Sequence, residues 1–254
     1  TKRGFGKDGG AGYWTKKIGI LPTLDGLAGG VLSITREPAR VLGGIPPKQI
    51  KQEELEKLNS LIRNEGWEDM IIVGLWNPKT FRGSSYSRFR SYLVKEVVPA
   101  IDARYPTIAR REFRMIAGAC SGGTMALAVL FDHSEIFGLG GSAQTDFHHY
   151  YHSIVRRLKD YLREKNEAVA VVLAANERDG NHRNHDGEVW PEYTRYERLL
   201  KKAKVLLDSR LFERGGHGLK SYRYSNGYQI LAWAGHCFRR ARLDPKDSCL
   251  RDEE

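Results

Sequence analysis

The stretch "FRMIAGACSGGTMALAVLFDH" (113–133) leaves few choices for how the chain can run. An apolar run narrows to small residues, passes through Gly118, Cys120, Gly122 and Gly123, and continues as a long apolar segment. That pattern predicts a buried strand, a sharp turn and a helix. Gly118 and Gly122 flank Cys120 at minus two and plus two, so small neighbours leave room for a side chain held at the apex of a strained turn. Gly123 is expected to let the helix pack closely against the sheet. Ser121 sits one place later, and as the apex it would need Ala119 and Gly123 as flanks, a poorer frame. The helix N-terminus adds positive potential and N–H donors, which lower a thiol pKa and can bind an oxyanion.

The same alternation runs through the chain. A strand ending in a turn is expected at 16–26, strands at 69–77, within 113–119, at 137–144 and at 168–176, and helices at 48–67, 87–106 with a kink or interruption at Pro99, 121–133, 149–165 and 191–209. Short apolar strands separated by amphipathic helices predict an α/β fold: a mostly parallel central sheet with helices on both faces. No repeat or long linker divides the 254 residues, so one domain is expected over 1–254. No run approaches the eighteen or so apolar residues of a membrane span, and the first residues lack the apolar stretch of a signal peptide. The compartment stays open, the cytoplasm being slightly favoured. Of three cysteines, Cys237 and Cys249 would pair if the protein is secreted.

A net charge of +10 favours anionic partners, yet its cations are scattered and no nucleic-acid motif accompanies them. A solvated basic surface is the simpler reading, and no nucleic-acid partner is expected. His148 with His152, and His182 with His185, are spaced as pairs, but no third ligand stands at a recognisable interval, so no metal site is expected.

In an open parallel sheet, ligands sit at the carboxyl ends of the strands. Cys120 falls there. Downstream, "FERGGHGLKSY" places His217 after a double glycine, where it can reach the sheet top as a general base. Between them, the strand at 168–176 runs into Glu177 and Asp179, which completes the order nucleophile, acid, base. Asp179 is the preferred acid and Glu177 the reserve. Trp76, Arg82, Arg178 and Arg183 lie in loops near the expected carboxyl edge and would suit an aromatic or anionic substrate.

These motifs resemble those of the esterase family of α/β hydrolases that includes enterochelin esterases, S-formylglutathione hydrolases, feruloyl esterases and mycolyltransferases. "LPTLDG", "MIIVGLWN", "YLVKEVVPAIDARYP", the elbow with its helix, and "GGHG" carry the likeness. The resemblance implies an α/β-hydrolase fold and an acyl hydrolase or acyltransferase without a cofactor, with a non-catalytic, ligand-binding member of the fold as the alternative. Its substrate would be a small molecule or an acyl carrier, anionic or aromatic in part. It further implies an oxyanion hole from the backbone N–H groups of Leu27 and Ser121. Two departures stand out. Relatives carry more strand ahead of the Leu-Asp-Gly region, so edge strands are expected to be missing, and cysteine occupies the apex. Cys120 is then a native nucleophile, a replacement for serine, or a packing residue beside a nucleophilic Ser121. A thiolate leaves more readily than an alkoxide, so native cysteine suits thioesters and activated esters.

Overall fold

The computed structural model describes residues 31–34, 68, 70–75, 83–164, 167–203, 205–217, 227–244 and 248–250. The expected strand at 16–26 and helix at 48–67 lie outside them. Strands β1 (Val31–Ile34) and β2 (Met70–Val73) pair antiparallel. β1 was not foreseen in the sequence; β2 is the core of the expected 69–77 strand.

Beyond them a parallel sheet forms from β3 (Met115–Ala119), β4 (Leu139–Ala143), β5 (Ala170–Arg178) and β6 (Leu206–Gly216), side by side in chain order. Sequential parallel strands need a crossover each, and helices supply them. These are α3 (Ser121–Asp132), α4 (Phe147–Arg163) and α5 (Pro191–Lys202), while α6 (Gly227–Leu243) follows the last strand. β5 shows how the two faces divide. Val171, Leu173 and Ala175 enter a core shared with α3, α4 and α5, whereas Ala170 and Val172 enter a second core with Ile230, Trp233 and Phe238 of α6. Period-two alternation on a strand buried on both faces thus places helices on either side.

Local chemistry sets the helix ends. The Asp146 side chain accepts from the His149 backbone N–H at the start of α4, and Pro191 opens α5, where a missing N–H costs nothing. In α3 everything from Gly123 to Phe131 is buried, as a helix must be when sheet and helices enclose it. Its last residue, Asp132, accepts from Tyr86 (3.0 Å), Arg90 (2.6 Å) and Arg157, joining three helices through one carboxylate. Burial and the Asp132 charge push the Tyr86 phenol up, so it stays a donor.

One expectation is refined and another changes. The irregularity expected at Pro99 in the helix over 87–106 takes the form of a widened turn rather than a break: α1 (Gly83–Tyr92) leads through a π-helical turn (Leu93–Val97) into α2 (Val98–Arg104). Pro99 lacks the N–H that would bond Lys95, and the turn before it widens so that the Val98 N–H reaches the Leu93 carbonyl. The helix expected over 191–209 stops at Lys202, and Leu206–Gly216 is strand. Val205 and Leu207 face one core and Leu206 the other, an alternation that pairing with β5 selects over helical spacing.

The glycines of the β3–α3 turn are not equivalent. A Cβ on Gly118 would strike the Gly122 carbonyl, and one on Gly123 would strike Ser142 Oγ of β4. A Cβ on Gly122 would meet nothing within 4 Å. Gly122 is therefore not demanded by collision, contrary to the symmetrical expectation. Cys237 and Cys249 form a disulfide with Cα atoms 5.3 Å apart, which leaves Cys120 as the free cysteine. Among the described residues no helix is long and apolar enough to cross a membrane.

Two outcomes follow from this packing. Gly118→Ala should lower stability by about 2 kcal/mol or more, because backbone cannot rotate out of the way, whereas Gly122→Ala should keep or slightly raise it; melting temperatures distinguish them. Alkylation of unfolded protein without reductant should label one cysteine, and after reduction all three.

Candidate active site

Cys120 stands where β3 becomes α3. Its N–H makes the last sheet bond, to Ala143 O at 2.9 Å, and its carbonyl accepts from the N–H groups of Gly123 and Thr124 at 3.0 and 3.2 Å. One residue thus ends a strand and starts a helix. The chain manages this with φ 55° and ψ −127°, a region that costs a side-chain-bearing residue about 1–3 kcal/mol. Ser121 is the first residue of the helix, and its backbone hydrogen bond helps lower the Cys120 thiol.

The other strand ends converge on this apex. β5 ends at Arg178, and Asp179 follows with no exposed surface. Its Oδ1 accepts from His217 Nδ1 at 2.8 Å and from the Asn181 backbone N–H at 3.0 Å, while Oδ2 is buried without a hydrogen-bond donor among the described residues. His217 directly follows β6. With Nδ1 committed to Asp179, the His217 ring also interacts with the Cys120 side chain by hydrogen bonding and charge, and each group shifts the other's titration. The Gly216 carbonyl ahead of it accepts from both Gln144 Nε2 and Asn176 Nδ2 at 3.1 Å, so buried amides at the ends of β4 and β5 hold the histidine segment in place.

Electrostatics follows from these contacts. Hydrogen bonds to Asp179 and then to Cys120 outweigh burial and push His217 up to about 10. Burial alone would raise the Cys120 thiol, but hydrogen bonds from His217 and Asn181, the His217 charge and the Ser121 N–H together bring it below its ordinary value. Both shifts favour the charged forms, a thiol eased toward thiolate and a histidine that holds its proton, and the two titrations belong to the pair.

Of the other residues singled out in the sequence, Glu177 is partly buried on β5 and is not the carboxylate that meets His217. Arg178 is exposed at the strand end. Arg183 donates to the Gly187 carbonyl at 2.5 Å. Leu27, Trp76 and Arg82 lie outside the described residues. His148 stacks on Trp190 with ring centroids 4.1 Å apart, and His152 meets Tyr151 edge-on. His182 is buried edge-on against Tyr193, and burial followed by the Arg183 charge lowers it to about 4. Among the described residues no three His, Cys, Asp or Glu side chains converge as metal ligands.

Sequence reasoning missed Gln144, Asn176 and Asn181. The first two stand at strand ends, a position that marks them for scrutiny; Asn181, two residues past Asp179 in a polar loop, carries no signal of its own. Its carboxamide nitrogen lies 3.4 Å from the Cys120 sulfur.

A family model described as "Putative esterase" matches residues 58–224, more than half of the chain. No curated protein sequence matches. Among similar solved structures are a ferulic acid esterase (TM-score 0.52, 19% identity, covering 79% of this chain and 80% of that one) and an S-formylglutathione hydrolase from Staphylococcus aureus (0.50, 12%, 70% and 72%). A ferulic acid esterase from Anaeromyces mucronatus is similar too (0.51, 15%, 70% and 69%). At these identities the likeness concerns the α/β-hydrolase fold. By the match over residues 58–224, the chain belongs to the esterase family and is a carboxylic-ester hydrolase of the α/β-hydrolase fold.

Proposed function

We propose that the chain is a thiol esterase in which Cys120 is the nucleophile, His217 the acid and base, and Asp179 the group that orients His217. The observation that carries this reading is the 2.8 Å hydrogen bond between Asp179 Oδ1 and His217 Nδ1, with the histidine coupled to the Cys120 thiol and drawing it below its ordinary value. Each member does what its neighbours allow. A buried carboxylate fixes the imidazole with Nδ1 protonated, the imidazole stabilises the thiolate, and the turn exposes sulfur above the sheet.

In the first half-reaction the thiolate attacks the carbonyl carbon and the carbonyl oxygen takes the negative charge. The Ser121 N–H at the helix N-terminus serves as an oxyanion donor, with Leu27 as the second donor by family likeness. Collapse breaks the bond to the leaving group, which takes the proton from His217. In the second, the now neutral His217 removes a proton from water as the water oxygen attacks the acyl-cysteine. Sulfur departs as thiolate, the carboxylic acid is released, and the imidazolium is restored. No cofactor enters the scheme.

The favoured substrates are activated esters or thioesters with an anionic or aromatic part. The net charge of +10 and exposed Arg178, next to Asp179, support the anionic part. Trp190 supports the aromatic one: its indole N–H donates to the Gly180 carbonyl beside Asp179 while its ring stacks on His148. The Cys237–Cys249 disulfide tips a compartment that the sequence left open, with the cytoplasm slightly favoured, toward an oxidising one.

Cys120→Ala should reduce kcat/KM for an activated thioester by about a thousand-fold or more, as removal of a nucleophile generally does. Cys120→Ser should also lose turnover; a large gain would mark serine as the residue this site was built for. The pH profile of kcat/KM should be a bell, rising through a thiol midpoint below 9.0 and falling as His217 loses its proton near 10. The histidine bond also stabilises the fold. Because His217 holds its proton more tightly folded than unfolded, its contribution should be full below about 6.5 and lost as pH rises through about 10, measurable by denaturation at several pH values.

A further inference from the structure

Among the described residues, Cys120 and Gln144 are the two that hold positive φ without being glycine, at 55° and 50°. One side chain touches both. The Asn181 carboxamide nitrogen lies 3.0 Å from the Gln144 carbonyl oxygen and 3.4 Å from the Cys120 sulfur. A backbone carbonyl only accepts, so the amide must turn its NH2 toward Gln144, and that same NH2 is what the sulfur meets. Its two N–H bonds serve two acceptors. The residue is anchored separately, since its backbone N–H donates to Asp179 Oδ1, the oxygen that also receives His217 Nδ1.

What an N–H does here depends on the charge of sulfur. A neutral thiol is a weak acceptor, whereas an anion draws charge-assisted hydrogen bonds, so a donor aimed at Sγ favours thiolate. An alkoxide precursor gains less, because a neutral serine hydroxyl must still give up its proton to histidine during attack. On the thiol reading given above, we propose that Asn181 is a further catalytic residue whose carboxamide N–H donates to Cys120 Sγ and holds it as the thiolate partner of protonated His217. The donor is released as the S–C bond forms and sulfur loses its charge, and it engages again when sulfur leaves the acyl carbon as thiolate. Gln144, by presenting its carbonyl from a left-handed backbone, is what aims the amide.

Iodoacetamide alkylation of Cys120 followed against pH tests this in the full chain, with Cys120→Ala as the blank. Asn181→Ala should raise the alkylation midpoint by about one unit, the size expected for a hydrogen bond to a charged group. It should cost about ten-fold in kcat/KM on the acid side of the profile, with a smaller loss above the midpoint, where thiolate forms unaided. Asn181→Asp, of nearly the same shape but without the N–H and with a negative charge, should raise the midpoint further. Coincident alkylation profiles in the wild type and both variants overturn the proposal and leave the Cys120 reading standing. If instead Cys120→Ala still hydrolyses the ester, the thiol reading itself falls. Should circular dichroism show that neither variant folds, the wild-type Asn181 side-chain NH2 resonance decides: it must shift with the Cys120 midpoint, and a resonance that ignores that titration overturns the proposal.

Discussion

A single carboxylate oxygen, Asp179 Oδ1, organises the carboxyl edge of this sheet. It is fully buried, and a buried charge is tolerated only where donors meet it. Two do, the His217 ring and the Asn181 backbone, from segments that are otherwise unrelated in the chain. The histidine segment is thereby drawn to the end of β5, and the loop after β5 is folded back toward the elbow. Losing this acceptor would cost more than one hydrogen bond, since both donors and the direction of the imidazole depend on it.

Strain is the second theme, and it is localised. Cys120 and Gln144 adopt backbone conformations that side-chain-bearing residues avoid, and neighbouring contacts over-determine both. At Cys120 the sheet bond to Ala143 and the first helix bonds act from opposite sides of one residue. At Gln144 the backbone N–H reaches Ala174 O at 2.7 Å while the side chain reaches Gly216. The cores on the two faces of the sheet supply the stability against which this local cost is set, each fully buried aliphatic side chain contributing about 1.5–3 kcal/mol.

Much of this was legible in the sequence, for identifiable reasons. The segments from β3 to β5 announce themselves because buried parallel strands are short apolar runs and the helices between them are amphipathic or, for α3, mostly apolar. Cys120, Asp179 and His217 could be singled out in the sequence because each follows a strand at the edge where ligands collect. The boundary between α5 and β6 was not: the residues around Val205 to Leu207 satisfy both helical and strand spacing, and only pairing with β5, distant in sequence, decides between them. Asn181 was invisible for a related reason. Its place is set by an Asx-type bond to Asp179 and by the carbonyl of Gln144, just past β4, and neither partner can be assigned to it by local pattern.

The central claim is that sulfur at position 120 carries the acyl group. Rapid mixing with an activated ester, acid quenching, and peptide mapping by mass spectrometry would locate that group directly. The account predicts a single acyl adduct on Cys120, released by hydroxylamine as thioesters are and decaying at the rate of turnover. An adduct on Ser121, or full turnover with Cys120 never acylated, would contradict it.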